Sequence, residues 1–266
     1  LFPISILLNI FYNKPMSFID RLFGYNELSN YAISLDVGTE FAKAMVFKVE
    51  DGKACVLGTG RVHQELKDMQ GGAITDIAGV IENCSKAIEA ACTMANINPE
   101  RVIMGIAGEL VKGSTTSIVY LRKNPDKKID EKELHDIMRR VQEKAYGQIQ
   151  NLIAFETGKE EIDIRLVNAA IVDVRIDRHP VSNPVGFTGK SVKVGVYNAF
   201  SPMIYLRALE TVSENLGLDL IGIAAEPYAV ARCTGSSHGQ DFSAIFIDMG
   251  GGTSDIAVVR SGGLEG

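Results

Sequence analysis

Residues 246–259 read FIDMGGGTSDIAVV, two acids around a run of glycines between two apolar strands. Alone, the stretch describes a glycine-rich hairpin, because glycine freely adopts the positive φ angles of tight turns. Residues 31–49, YAISLDVGTEFAKAMVFKV, have the same order: apolar strand, Asp36, one residue, Gly38, Thr39, then another strand. The later stretch repeats it with Asp248, Gly250, Gly251, Gly252 and Thr253. Backbone N–H groups in such a turn converge on a concavity that suits phosphate oxygens, where a side chain would block close approach. A carboxylate beside polyphosphate repels it, unless a hard cation such as Mg²⁺ lies between them. Two such turns, facing each other, would clasp one nucleotide.

The chain has 266 residues, 46% hydrophobic and 23% charged. That is an ordinary globular composition, enough for one large or two ordinary domains. A net charge of −6 and a pI near 5.3 argue against a nucleic-acid-binding surface. Cys55, Cys84, Cys92 and Cys233 form no C-x-x-C pair, and the histidines have no metal-ligand spacing. The thiols read as reduced and cytosolic, with Cys84 and Cys92 packing on a helix face. The opening LFPISILLNIF is too short for a membrane span and lacks a signal-peptide pattern. Residues before Met16 are expected to be read-through upstream of a start, or an appended segment. Phe18, Ile19, Leu22 and Phe23 fall at helical spacing beside one basic residue, Arg21. Residues 1–30 are expected to be a poorly ordered lead-in.

Residues 31–62 carry three apolar, β-rich runs, the last two parted by Asp51-Gly52, which predicts an antiparallel meander. Beyond Gly71-Gly72 the spacing predicts a helix with Ile77, Val80, Ile81, Cys84, Ile88, Ala91 and Cys92 on one face and Thr75 as its cap. A buried strand, RVIMGIAG, follows. The texture changes over 108–186: a polar alternating strand, a charged loop, a helix from Asp130 to about Tyr146, and a further strand. Asp130 and Glu133 suggest a capping box, and Lys127, Lys128, Arg139 and Arg140 a solvated surface. Next come the strand KSVKVGVYNAF and a helix signalled by Ser201 as cap, Pro202 in its first turn and Gly217 at its end. A buried strand then delivers Glu226 to a short helix, and a second meander begins at Phe242.

These residues resemble the actin–Hsp70–sugar-kinase superfamily, in which two related lobes close over ATP. LDVGTE looks like its first phosphate motif, IDMGGGTSD like the second, and AAEPYAVAR like the connecting motif. The resemblance implies ATP and Mg²⁺ as cofactors. It assigns Gly38, Thr39, Glu40, Gly250, Gly251, Gly252 and Thr253 to the nucleotide. Asp36 and Asp248 would hold the hydrated ion, and Glu226 would act on the attacking water in what is at most a slow ATPase.

In actin and Hsp70 an extra subdomain interrupts the first lobe before its first helix, but here only His63 to Ile74 fill that gap. An insertion that instead follows the helix and strand resembles the FtsA-like family of bacterial cell-division proteins, with the pilus-assembly protein PilM as nearest relative. GGAITDIAGVIENCSKAIEAA, NPVGFTG and GLDLIGIAAEPYAVA are most similar to the FtsA-like pattern. The fold implied is α/β: an actin-like (ribonuclease H-like) lobe with a mixed five-stranded sheet, over 31–107 and 187–241. A small α+β subdomain is inserted at 108–186, and the second lobe begins at 242–266.

By the same resemblance the protein is cytoplasmic and peripheral at the inner face of the cell membrane, and polymerises through the 108–186 module. It would link the division ring to the membrane, meeting the tubulin-like protein FtsZ and other division proteins. The FtsZ-binding surface and the C-terminal membrane helix of that family have no counterpart in these residues, so the chain is expected to be a fragment lacking most of its second lobe. A PilM-like scaffold that binds a short peptide beside the insert is the alternative. A small-molecule kinase would need an acid facing the substrate hydroxyl and a polar substrate pocket, and neither motif is present.

Overall fold

The computed structural model describes residues 30–51, 53–158, 162–235, 243–260 and 263–264. The expected lead-in over residues 1–29 and the start of the second meander at Phe242 lie outside the described residues. Strands β1 (Tyr31–Val37), β2 (Phe41–Glu50) and β3 (Lys53–His63) form the antiparallel meander. A small hairpin of β4 (Met69–Gln70) and β5 (Ala73–Ile74) leads into helix α1 (Ile77–Ala95), and β6 (Arg101–Ile106) then runs parallel to β1.

Helix α1 lies close on β3 because Gly58 and Gly60 have no side chains: a Cβ on either would collide with the carbonyl oxygen of Ala91 or Ala87. Its buried face is Val80, Asn83, Cys84, Ala87, Ala91 and Cys92. The cap is Asp76 rather than Thr75. Asp76 accepts from the N–H groups of Ala78 and Gly79, whereas the Thr75 hydroxyl donates to the Lys67 carbonyl at 2.6 Å.

A 3₁₀ turn (Gly108–Leu110) opens the insert, which comprises β7 (Lys112–Leu121), α2 (Glu131–Thr157), β8 (Ile164–Ile176), β9 (His179–Pro180) and β10 (Ser191–Pro202). The sequence groups β10 with the lobe, yet both of its ladders lie here, in the sheet order β7-β10-β8-β9. The reason is its apolar run: Val192, Val194 and Val196 are buried against Ile137, Met138 and Val141 of α2. That helix extends well past Tyr146. Gly147 lies in open space, and the apolar stripe continues through Ala145, Ile149 and Ile153 until Gly158, at φ 68°, ends it. Asp130 caps it by accepting from the Glu133 N–H at 2.9 Å, but the Glu133 side chain grips Arg122 instead of closing a capping box. Arg122, buried, also donates to the carbonyls of Pro125, Lys127 and Gly189, which clamps the insert's loops together.

Helix α3 (Met203–Asn215) follows, then β11 (Asp219–Ala225), α4 (Glu226–Gly235), and a second small sheet of β12 (Ala244–Met249), β13 (Ser254–Arg260) and β14 (Gly263–Leu264). Ser201 belongs to β10 and its hydroxyl donates to the Leu110 carbonyl, so Pro202 occupies the cap position of α3 without a side-chain hydrogen bond. Strand β11 runs parallel to β6 and completes a mixed five-stranded sheet, β11-β6-β1-β2-β3. The main core lies between this sheet and helices α1 and α3, around Ile33, Leu35, Val80, Met104 and Leu206.

Candidate functional site

Two hairpins of this chain are built alike. The Gly38 N–H donates to the Phe41 carbonyl at 3.2 Å, and the Gly250 N–H to the Thr253 carbonyl at 2.9 Å. In each, the glycine stands two residues after an aspartate. Across the ladders, Asp36 is opposite Lys43 and Asp248 is opposite Asp255. A 3.0 Å ion pair with Lys43 compensates Asp36. Asp248 faces another acid, and like charges directly opposite are destabilising. The second turn therefore favours a cation beside it.

The turns meet at their tips. A Cβ on Gly251 would come within 2.5 Å of the Glu40 Cβ, and one on Gly252 within 3.0 Å of the Thr39 Cγ2. The absence of side chains at Gly251 and Gly252 lets the two turns touch. Thr39 and Glu40 of the first turn are thus brought against Gly252 and Gly251 of the second.

Glu226 lies beside them. The Ala225 N–H donates to Asn168 Oδ1 at 2.8 Å, anchoring the strand end that delivers Glu226 to the first position of α4. Gly105 on the neighbouring strand leaves room for the carboxyl, since a Cβ there would stand 2.8 Å from Glu226 Oε1. Burial first, then the charges of Asp36, Asp255 and Asp248, push the half-buried Glu226 up to about 8, with Lys43 opposing. Both hairpins thereby act on one acid, and a strongly raised carboxyl in such a place is a candidate for proton transfer.

Sequence reasoning assigned no role to Lys43, Glu109 or Asp255. Asp255 Oδ2 accepts from the Gly108 N–H at 2.9 Å. The Glu109 carboxyl is raised, chiefly by partial enclosure and, among the charges, by that of Asp255 nearby. One signal was available: Lys43 follows Asp36 by the same interval at which Asp255 follows Asp248.

The donor set fits a hard, hydrated cation. Asp36, Asp248 and Asp255 offer only carboxylate oxygens, and no group of three or more His, Cys, Asp or Glu among the described residues is placed to hold a metal directly. Mg²⁺ binds in this way, keeping several waters and taking one or two carboxylates plus phosphate. A cavity of about 330 Å³ between β8, α3 and β11, lined by Arg165, Leu206, Glu210 and Ile223 among others, lies apart from these acids.

The five-stranded mixed sheet, its flanking helices and the paired glycine hairpins define an actin-like α/β fold. The PilM–PilN type IV pilus biogenesis complex is similar in structure over 88% of this chain and 60% of that chain, with a TM-score of 0.58 at 12% identity. In sequence the chain is similar to cell division protein FtsA. It is 25% identical to that of Bacillus subtilis (strain 168) over 233 residues, 87% of this chain and 49% of that protein. It is 26% identical to that of Neisseria meningitidis serogroup B over 240 residues, 88% of this chain and 53% of that protein. The chain thus spans about half the length of these curated relatives. No protein-family model matches it. Among the described residues no helix is long and apolar enough to cross a membrane.

Proposed function

We propose that this chain supplies a phosphate clasp of an FtsA-like, actin-family ATP-binding protein. The observation that carries the reading is the meeting of two hairpins built alike, each with an aspartate at the same place, beside a single acid, Glu226. In this reading the backbone N–H groups of 38–40 and 250–253 hold phosphate oxygens. Asp36 and Asp248 hold Mg²⁺ through its waters, and the ion, when bound, offsets charge on the phosphates. Glu226 orients a water molecule once it has released its proton.

The wider reading rests on the FtsA-like resemblance: a protein peripheral at the cytoplasmic face of the membrane, polymerising through the 108–186 insert and meeting FtsZ. In its support, the insert together with residues 187–202, which include β10, has a core and an Arg122 clamp of its own. Its exposed Val119, Leu121 and Phe155 are available to a neighbouring subunit without altering the hairpins.

Isothermal titration of Mg·ATP into the full-length protein and its variants tests the clasp. Asp248→Ala is expected to weaken Mg²⁺-dependent binding about tenfold or more. Glu226→Ala should bind like the parent and hydrolyse about a hundredfold more slowly. Equal loss of binding in both variants would refute the division of roles, and absence of binding by the parent would refute the clasp.

A further inference from the structure

Behind the first turn runs a buried polar chain. Asp68, Asn83 and Gln64 are 0%, 8% and 1% exposed. The Asn83 amide donates to both neighbours, at 2.9 Å to Asp68 Oδ2 and 2.8 Å to Gln64 Oε1. This fixes the Gln64 amide with its Nε2 toward the turn, where it makes a long hydrogen bond, 3.4 Å, to the Gly38 carbonyl. The Gln64 backbone N–H donates to the Glu40 carbonyl at 2.8 Å. One residue therefore holds the carbonyls on both sides of Thr39. Asp68 is itself anchored: its Oδ2 accepts from the Glu65 N–H, and its carbonyl accepts from the N–H groups of Thr75 and Asp76 at the head of α1. Asp68 Oδ1 has no partner among the described residues, and a Cβ on Gly79 would collide with it.

A buried polar network is weak evidence for stability, since apolar groups of similar volume often serve a core equally well. What this network sets is direction. In a trans peptide the carbonyl and the following N–H point opposite ways. Drawing the Gly38 carbonyl inward toward Gln64 turns the Thr39 N–H outward, on the side away from the core.

We propose that Gln64, oriented by Asn83 and Asp68, is the positioning residue of the first turn and aims the Thr39 N–H at a phosphate oxygen. The proposal rests on the reading of the hairpins as a nucleotide clasp. Its role differs from those of Asp36 and Gly38 in that Gln64 touches only the backbone of the turn.

The test uses the full-length protein with Gln64→Leu and Gln64→Glu, the second nearly isosteric and still able to accept from Asn83. Each is titrated with Mg·ATP and separately with adenosine, which carries no phosphate for the turn to hold, and thermal unfolding confirms that each is folded. ATP affinity should fall about tenfold in both variants, the scale of one well-placed hydrogen bond, while adenosine affinity stays within about twofold of the parent. If the parent binds ATP and the Gln64→Glu variant retains that affinity, the positioning role is overturned and the clasp stands. Parallel loss of ATP and adenosine affinity marks Gln64 as merely structural and also overturns the proposal. A parent protein that binds no ATP overturns the clasp and this inference with it.

Discussion

The Gly108 N–H donates to Asp255 Oδ2 at 2.9 Å across 147 residues of sequence, which ties the second glycine hairpin to the point where the insert begins. There is no slack in this contact. A Cβ on Gly108 would stand 2.5 Å from Asp255 Oδ1 and 2.9 Å from the Pro227 Cγ.

Gly108→Ala is therefore expected to displace the Asp255 carboxylate and free the hairpin. Amides of β12 and β13 should exchange with solvent faster, by roughly the 1.5–3 kcal/mol associated with a hydrogen bond to a charged group. Hydrogen-exchange mass spectrometry reads this directly, and unchanged exchange in 244–260 would show that the hairpin is held by its apolar face alone.

Glu226 should make stability depend on pH. Its folded value of about 8 lies above its ordinary value of 4.5, so between those limits the folded state keeps a proton that the unfolded chain has lost. Stability attributable to this group then falls as pH rises through that window, with a slope of at most about 1.4 kcal/mol per pH unit, lessened by the solvent access of the side chain. Glu226→Gln, neutral throughout, should match the parent at about pH 4 and exceed it above about pH 8. Denaturant midpoints measured across the range decide; parallel curves would mean that the acid is not held protonated.

The seat of α1 on β3 tolerates no added atom at Gly60, where a Cβ would strike the Ala87 carbonyl. Gly60→Ala must lift the helix from the sheet and should destabilise by about 1–3 kcal/mol, the usual penalty for overpacking. A urea midpoint equal to that of the parent would contradict the close approach.

On the β12–β13 hairpin, Ala257 and Val259 pack against Tyr197, Ala231 and Tyr228. Ile245, Ile247, Met249 and Ile256 are all more than half exposed. Such a strip favours association of the 266-residue chain with itself. Replacing Ile245 and Ile247 together by Lys should lower the association seen by light scattering and leave the fold intact. A rise in scattering would place those side chains in a contact that the charges break.

The hairpins and the strand that delivers Glu226 are legible in the sequence because their signals are local: glycines after an aspartate, and alternating or continuous apolar runs on either side. The companions of those residues are not local. Asp255 meets Gly108, and Gln64 meets Asn83 and Gly38, only after the sheet and α1 have assembled. Local rules also compete at close range. Thr75 and Asp76 are both good caps by type, and the structure uses the acid, because the Thr75 hydroxyl is taken by the Lys67 carbonyl. The sequence places the helix end near Tyr146, but the buried stripe of Ile149 and Ile153 carries α2 on through Gly147. Strand β10 follows a glycine-rich return to the lobe, yet its valines belong to the core under α2.

The touching of Gly251 with Glu40 and of Gly252 with Thr39 has a thermodynamic side. Any guest that lies between the hairpins must select a parted arrangement, so its observed dissociation constant is the intrinsic one divided by the parted fraction. Substitutions at these four positions therefore shift affinity through two opposed factors, the contacts they offer the guest and the equilibrium of the empty protein. A bulkier residue at Gly251, by wedging the tips apart, raises the parted fraction even as it removes room beside the backbone.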